Sequence, residues 1–323
     1  IDSKHTNDGD GDDSPGSTHV EQRTTYTDNQ RSDIKKSKMA AVIPAVTRLS
    51  NRIIRVLGCN PGPMTLQGTN TYIVGTGKRR VLIDTGDAEV PQYINHLKTV
   101  LEEDEVHLDH ILISHWHHDH LDGVSDIYNQ VSDRIGKCKV WKFPSQKVQT
   151  AKIPDNISLQ SLKDEQLFEI EGATLKVLFT PGHTDDHAIF HLLEENAIFS
   201  GDCILGEGTA VFEDLYDYMN SLNLIARLDP KIIYPGHGNV IKNPKDKIYF
   251  YIQHRMERER QIMEMLNRCP MKQFTEEDIV EAVYVDLSQQ LIPAACRNVN
   301  HHLMKLLKEG SVKHVNNKWQ IKQ

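Results

Sequence analysis

A cluster of metal-binding side chains follows a short apolar stretch in the first half of the chain. Directly after the apolar residues 111–113, residues 114–120 are Ser-His-Trp-His-His-Asp-His, so four imidazoles and one carboxylate lie within six residues. In an extended segment, residues two apart project the same way, so His115 and His117 could hold one ion while Asp119 and His120 reach a second. Because imidazole and carboxylate are the usual zinc ligands, the spacing predicts a loop that binds one or two zinc ions. The alternative is a His-rich tract that caps a strand or binds metal adventitiously.

The same pattern of an apolar run followed by a polar group recurs four more times along the chain. The runs are residues 81–83, 175–179, 197–199 and 231–234, and the polar groups that follow them are Asp84, His183, Asp202 and His237. Short apolar runs that stop at Gly or Pro predict buried strands with tight turns at their ends. An α/β scaffold brings such strand ends together. The recurrence therefore favours a built site over an adventitious His-rich tract.

This series of strand ends resembles the metallo-β-lactamase superfamily, an α/β fold class built as a four-layer αβ/βα sandwich. The resemblance implies that a first zinc ion is held by His115, His117 and His183, and a second by Asp119, His120 and His237. It also implies that Asp202 bridges the two ions. The catalytic residues that we expect are Asp119 and Asp84, the latter through hydrogen bonds that orient the His loop without contact to metal.

Composition divides the chain into three segments. Residues 1–38 are almost entirely polar, and we expect a disordered extension outside the functional protein, which begins at Met39. Residues 39–244 alternate strand and helix patterns and are assigned to the metallo-β-lactamase catalytic domain. Residues 245–323 have helical patterns followed by a hairpin pattern, which predicts a winged-helix-like α domain.

Periodicity predicts the main elements of both domains. In the catalytic domain we expect strands at 53–57, 71–74 and 81–83, and helices at 91–101 and 215–228. In the C-terminal domain the expected elements are a helix at 249–266, a helix that starts at a capping box at Thr275, a helix that ends at Gly310, and a hairpin over 312–321.

Net charge differs between the two folded domains. Residues 245–323 hold 13 Lys/Arg against 10 Asp/Glu, a net +3, whereas residues 39–244 hold 18 against 27, a net −9. A basic module beside an acidic metal domain suggests a polyanionic substrate. The candidate substrate-binding residues are Lys308, Lys313 and Lys318, with Lys305 beside them. Trp319 either stacks on a base or, as we expect, packs the wing onto the helices; the alternative for the whole module is a helical cap or dimer surface.

Zinc chemistry makes hydrolysis the expected reaction. Two zinc ions lower the pKa of bound water from ~15.7 towards ~7, so metal-bound hydroxide is the expected nucleophile. The ligands do not select the substrate, because the superfamily cleaves lactams, thioesters and phosphodiesters. Residues 57–72, 180–187, 201–208 and 212–222 resemble the animal mitochondrial endoribonucleases of this superfamily. That resemblance implies a zinc-dependent endoribonuclease that cleaves phosphodiester bonds of single-stranded RNA in the mitochondrial matrix.

The composition also bears on the cellular location of the protein and on the redox state of its cysteines. Residues 39–83 contain no Asp or Glu, which is compatible with mitochondrial import but also with a first strand and hairpin, so the cytoplasm is the alternative location. No apolar run approaches the ~18–20 residues of a membrane span, and we expect no membrane partner. The five cysteines are odd in number and contain no Cys-x-x-Cys pair, which predicts reduced thiols.

A thioesterase that resembles glyoxalase II, with the same dinuclear zinc site, is the competing function. A hairpin rich in Lys and Asn suits a phosphate backbone, whereas glutathione recognition needs a compact cationic clamp that the sequence does not show. A third possibility is a non-enzymatic binding protein with a relic site. It is disfavoured because all seven ligand positions hold competent side chains.

Overall fold

The structure of the protein is a computed structural model that describes residues 42–147, 153–154 and 157–322. The predicted extension at residues 1–38 lies outside this part. From Val42 onward the chain forms one compact unit. Within the described residues, no helix is both long and apolar enough to cross a bilayer.

Two large β-sheets lie at the centre of the described chain. The first contains, in spatial order, β1 (Val46–Arg48), β2 (Ile53–Leu57), β3 (Asn70–Val74), β4 (Arg79–Ile83), β5 (His107–Leu112), β6 (Lys139–Lys142) and β7 (Leu159–Ser161). Its first four strands are antiparallel, and β4 to β7 are parallel. The second contains, in sequence order, β8 (Leu167–Ile170), β9 (Ala173–Phe179), β10 (Ala188–Leu192), β11 (Ala197–Gly201) and β12 (Ile232–Pro235), and only β11 and β12 pair in parallel.

Helices cover the sheets and continue into the C-terminal part. They are α1 (Pro91–Glu103), α2 (His118–Leu121), α3 (Val124–Gln130), α4 (Leu215–Leu228), α5 (Pro244–Arg268), α6 (Glu276–Val283) and α7 (Ile292–Lys308), with 3₁₀ turns at Ser132–Arg134 and Gln289–Leu291. Helix α4 has the predicted bounds because Asp214 caps its start, where the carboxylate accepts from the Asp217 N–H at 3.1 Å.

Alternation along the strands separates the core into layers. In β4, Leu82 packs in a cluster with Leu97 of α1, whereas Val81 faces the second sheet. In β11, Phe199 faces the first sheet, and Ile198 packs in the cluster that contains the buried face of α4. Because neighbouring side chains of a strand point to opposite faces, each sheet has one face on the other sheet and one face on helices. The predicted four-layer αβ/βα sandwich is confirmed.

The C-terminal part has an apolar core of its own and a winged-helix architecture, as predicted. At the start of α6, Thr275 Oγ1 accepts from Asp278 N at 3.2 Å while the Asp278 carboxylate accepts from Thr275 N at 2.8 Å. The wing is the hairpin β13 (Val312–Val315) and β14 (Lys318–Ile321). Trp319 is 1% exposed and its Nε1 donates to Glu276 Oε1 at 2.9 Å. It therefore packs the wing onto the helices and is not placed to stack on a base.

Helix α5 contributes to both cores. It begins at Pro244, before the predicted start at residue 249, because proline is favourable in the first turn of a helix. Ile248 packs in the cluster with α4, whereas Ile262 packs in the C-terminal core. The boundary predicted after residue 244 thus falls at the start of a helix that joins the two cores, and it stays a prediction.

Gly123 marks a close approach between the segment after the His loop and the end of β4. A Cβ atom at this position would lie 2.0 Å from the Thr85 carbonyl oxygen. The Gly123 N–H donates to the Gly86 carbonyl at 3.0 Å. Its φ of −66° is open to any residue, so the lack of space is the constraint.

We expect Gly123→Ala to lower the free energy of unfolding by about 2–3 kcal/mol, because the backbone must move to admit the methyl group. Gly136→Ala is the control: Gly136 has a φ of +44° and no atom within 4 Å of a Cβ, so the change should cost only about 1 kcal/mol of backbone strain. Urea unfolding of both variants measures the difference. An equal loss in the two variants would show that close packing at Gly123 is unimportant.

Candidate metal centre

Strand ends from both sheets meet at one edge of the sandwich. Asp84 follows β4, the His loop (residues 114–120) follows β5, and His183, Asp202 and His237 follow β9, β11 and β12. A backbone hydrogen bond joins the two sheets here, because Asn70 N, at the start of β3, donates to Gly236 O, after β12, at 2.7 Å. Within the second sheet, Gly236 N donates to Gly201 O at 2.8 Å. The structure brings all seven predicted ligands together in two groups.

The first group contains three imidazoles and one carboxylate oxygen. His115 Nε2 lies 2.9 Å from His117 Nδ1 and 3.3 Å from His183 Nε2. His183 Nε2 lies 3.1 Å from His117 Nδ1 and 3.7 Å from Asp202 Oδ2. Ligand atoms about 2.0–2.1 Å from a tetrahedral zinc ion lie roughly 3.3 Å from one another. The four donor atoms therefore fit one zinc ion.

The second group has the same spacing with a different set of donors. His120 Nε2 lies 3.2 Å from His237 Nε2 and 3.3 Å from Asp119 Oδ2. His237 Nε2 lies 3.1 Å from Asp119 Oδ2. Asp202 Oδ1 completes this group at 3.4 Å from His120 Nε2 and 3.3 Å from His237 Nε2.

Asp202 faces both groups with different oxygen atoms. Its Oδ2 belongs to the first group and its Oδ1 to the second. Oδ1 is buried and accepts no hydrogen bond from the part of the chain that the structure describes, and a buried acceptor in that state is costly unless a cation binds it. The geometry fits the bridging role that the family resemblance implies for Asp202.

Burial and charge set the protonation of the ligands. Burial lowers the pKa of His115 far below its usual value and the pKa of His117 to about 4. Both rings are therefore neutral, and each can bind a metal ion through its unprotonated nitrogen. Burial also acts to lower the pKa of His237, but the carboxylates of Asp202 and Asp119 outweigh it and raise that pKa to about 9. The second group therefore requires positive charge, which a divalent ion supplies when it replaces the ring protons.

Asp84 contacts the ligands from outside both groups, in the arrangement that the family resemblance implies. Its Oδ1 accepts from Ser114 N at 2.7 Å, and its Oδ2 accepts from Ser114 Oγ at 2.9 Å and lies 2.8 Å from His120 Nδ1. Ser114 Oγ in turn lies 2.9 Å from His115 Nδ1. One buried carboxylate thus orients a ligand of each group.

Two further supporting residues were not predicted from the sequence. Thr69 Oγ1 donates to Asp119 Oδ2 at 3.0 Å. His187 is fully buried, and its Nε2 accepts from the backbone N–H of Asp202 at 3.2 Å. Burial keeps the pKa of His187 well below its usual value, so this ring is a neutral acceptor. The only sequence signal for His187 is its place in the polar run that follows His183.

The metal groups lie at the floor of a cleft of about 450 Å³. Its apolar lining comes from two segments, with Pro63, Met64 and Leu66 in one and Leu205, Ala210 and Val211 in the other. Glu207 and His118 also line it, and among the described lining residues there is no Lys or Arg. His118 belongs to neither ligand group; its Nδ1 lies 2.5 Å from Asp87 Oδ1.

The predicted substrate-binding lysines do not line this cleft. Lys308 Nζ lies 2.6 Å from Asp214 Oδ2 and 3.9 Å from Asp217 Oδ2. Lys313 and Lys318 are exposed on the wing. The carboxylates next to Lys308 offset its charge, so the wing lysines are the better placed of the three for an external anion. A role for all three in substrate binding stays a prediction.

Known proteins are similar to this chain in fold and in sequence. Residues 64–237 match the family described as the metallo-beta-lactamase superfamily, and residues 275–319 match the beta-lactamase associated winged helix domain. The beta-lactamase-like protein 2 homolog of Drosophila melanogaster is 51% identical over 277 residues, which cover 84% of this chain and 94% of that protein. The atrochrysone carboxyl ACP thioesterase of Aspergillus fumigatus is 37% identical over 283 residues, 84% of this chain and 85% of that protein. A beta-lactamase domain protein from Burkholderia ambifaria has a TM-score of 0.70 at 16% identity, covers 88% of this chain and 96% of its own, and so shows the fold alone.

We expect Asp84→Asn to weaken zinc binding roughly 10–100-fold, because the amide replaces one of the two oxygens that bind Ser114 and His120. Competition against a chromophoric chelator measures the affinity. Asp87→Asn is the matched control, since Asp87 lies in the same loop but contacts His118 and Asn60 and no ligand of either group. Equal affinities in the two variants would refute the supporting role of Asp84.

Proposed function

The chain belongs to the metallo-beta-lactamase superfamily of hydrolases, and on that premise we propose that it is a zinc-dependent endoribonuclease. The proposed reaction is hydrolysis of phosphodiester bonds in single-stranded RNA, with two zinc ions held by the seven ligands. The choice of RNA rests on the sequence resemblance to animal mitochondrial endoribonucleases. The distribution of charge in the cleft supports it.

The position of charge in the cleft is the structural observation that carries the proposal, in addition to the sequence resemblance. Because its described lining has no Lys or Arg, an anion can be neutralised only at the metal groups on the floor. A phosphodiester carries its charge at the group that is attacked, and the apolar faces of its bases suit walls such as Met64 and Val211. Glutathione instead carries carboxylates away from the thioester, and these require cationic partners. The cleft therefore favours a phosphodiester over a glutathione thioester.

The protein's own residues would position the reacting groups. Zinc would supply Lewis-acid activation of water and would neutralise negative charge at the scissile phosphate. Asp119 lies on the cleft floor and is held by the Thr69 hydroxyl. In the proposed reaction, its other oxygen would accept a hydrogen bond from the attacking water. Asp84 and His187 keep His120 and Asp202 in place during the reaction.

Thioester hydrolysis is the second candidate, and two observations favour it. The apolar lining of the cleft also suits an acyl chain, and the relative from Aspergillus fumigatus, 37% identical, is named as a carrier-protein thioesterase. This candidate needs no cationic clamp if the acyl group occupies the cleft and the carrier stays outside. Substrate assays separate the two candidates.

We expect the purified protein to cleave single-stranded RNA faster than duplex DNA, S-lactoylglutathione or an acyl thioester of a carrier protein. His117→Ala should abolish RNA cleavage, because it removes a ligand of the first group, and should leave the thermal unfolding transition in place. His107→Ala is the control, since this exposed residue starts the strand that leads to the His loop. Preferential thioester hydrolysis, lost in His117→Ala, would establish the second candidate.

Binding of RNA outside the cleft is expected to involve the wing. The slope of log affinity against log salt is negative, and replacing Lys313 and Lys318 by Gln should make it less negative by roughly 1.4. Each phosphate contact on a single strand contributes about −0.7 to this slope. The control is Lys137→Gln with Lys139→Gln, because these exposed residues lie at the start of β6, away from the strand ends that carry the ligands. Lys308→Gln is measured separately because Asp214 already offsets its charge. An unchanged slope in the wing variant would make the module a structural cap.

We also propose the mitochondrial matrix as the location, by the same resemblance. Residues 39–83, which lack acidic residues, include strands β1 to β4, so the fold alone accounts for part of this composition. Fractionation of cells that express the chain tests the location. Recovery in the cytosol alone would refute it.

A further inference from the structure

Arg255 is a buried cation that pairs with no carboxylate among the described residues. Its side chain belongs to α5 and the residue is 6% exposed. Burial lowers the pKa of its guanidinium, and the groups that act against this are Tyr218, Tyr251 and Tyr284 and not an acid. Within the described chain its Nε has no hydrogen-bond partner. Removing such a charge from water is costly. The contacts that Arg255 makes must offset this cost.

Those contacts are with one wall of the cleft. We call residues 208–212 the cleft-wall segment, because four of them line the cleft and the fifth, Phe212, lies behind. Arg255 Nη2 donates to the Ala210 carbonyl at 3.0 Å, and the guanidinium centre lies 4.7 Å from the centre of the Phe212 ring. The ring of Phe212 stacks in turn on Tyr218 of α4, with centroids 5.2 Å apart. Arg255 thus holds the segment by a hydrogen bond and by a cation–π contact.

Two more residues on one face of α5 contact this segment. Lys247 Nζ and Tyr251 Oη each donate to the Gly208 carbonyl at 3.2 Å. Residues 247, 251 and 255 are spaced by four, so their side chains lie above one another on the same face of the helix. Helix α5 therefore contacts the cleft-wall segment at its first residue, Gly208, and near its last, at Ala210 and Phe212.

The cleft-wall segment also orients one metal ligand. The Val211 carbonyl lies 2.8 Å from His183 Nδ1 and has no hydrogen of its own, so Nδ1 carries the proton and donates. The other nitrogen, Nε2, is then the one that faces His115 and His117. A second bond, from Glu213 N to Gly182 O at 2.8 Å, ties the same stretch of chain to the turn before His183. A shift of the wall would therefore move His183.

The link from α5 to the second group does not run through Arg255. Tyr251 Oη accepts from Leu205 N at 3.1 Å, and the next residue, Gly206, donates its N–H to the backbone carbonyl of His237 at 2.9 Å. His120 is held by Asp84, and Asp119 is held by Thr69. The third ligand of that group, His237, leaves its Nδ1 without a partner in the described chain. The support that comes from α5 through Val211 is thus confined to the first group.

We propose that Arg255 is a positioning residue for the first metal group, acting through the cleft-wall segment on His183. In this arrangement the C-terminal module completes the metal centre from behind, in addition to any contact that it makes with substrate. The inference rests on the proposed binding of two metal ions but not on the identity of the substrate. It predicts that loss of Arg255 affects the two ions unequally.

The test is a titration of the metal-free full-length chain with Co²⁺, followed by visible absorption and by calorimetry, so that the two equivalents are resolved. Arg255→Met keeps the length of the side chain but removes its donors and its charge. We expect one equivalent to bind roughly 10–100-fold more weakly, the range found for residues that orient ligands, and the other to be unchanged. Arg255→Lys should restore part of the affinity because an ammonium can still donate to the Ala210 carbonyl.

Arg258→Met is the matched control. Arg258 lies on the same helix with its guanidinium 3.8 Å from the Tyr284 ring, so its loss perturbs the C-terminal module without touching the cleft wall. Both equivalents should bind normally in this variant. In a His183→Ala background, Arg255→Met should have no additional effect, because the link that it breaks is already absent.

Three results would overturn the proposal: no change in Arg255→Met, equal weakening of both equivalents, or the same selective loss in Arg258→Met. If Arg255→Met does not fold, Phe212→Leu replaces it, since it removes the ring under the guanidinium and keeps an apolar side chain. The same selective loss is then expected, and normal binding of both equivalents would refute the inference. Because no substrate is present, a failure of the proposed RNA cleavage leaves the result unaffected.

Discussion

The metal centre depends on the hydrogen bonds of the Asp84 carboxylate. This carboxylate is buried at the end of β4 and receives hydrogen bonds from the backbone and hydroxyl of Ser114, next to the imidazole of His120. The backbone of Asp84 has a φ of +58°, which aspartate tolerates better than most residues. Asp84 can therefore turn the chain at the end of β4 while its side chain points to the His loop. Since Ser114 also contacts His115, the position of one side chain determines the orientation of ligands in both groups.

The remaining ligands are held from different layers of the sandwich. Thr69, before β3, supports Asp119, and His187, before β10, supports Asp202. His183 depends on the carbonyl of Val211 and through it on α5. The two candidate ion positions are therefore similar in donor spacing but differ in their support, so loss of Arg255 is expected to weaken the binding of one ion and not of the other.

In the proposed function, the cleft and the C-terminal module would recognise different charges of the substrate. Lys and Arg are absent from the described lining of the cleft, so an anion would bind at its floor, while the exposed lysines of the wing lie on the surface. A long, flexible polyanion can use both places, whereas a compact substrate can use only the floor. This is the physical reason to test RNA before small thioesters.

The sequence, with the family resemblance that it carries, was enough to predict the sandwich, the winged helix and all seven candidate ligand positions. Strand and helix periodicity are local properties, and the chemistry of a metal ligand belongs to the side chain. Helix α4 and the capping box at Thr275 were predictable for the same reason, because the residues that define them are neighbours. Tertiary structure alone decided which further side chains, Thr69 and His187, support the ligands and which charges are already paired. Lys308 meets Asp214 across 94 positions of the chain, and Arg255 meets Ala210 across 45. Contacts between residues so far apart leave no local pattern, because only the packing of the layers brings them within reach.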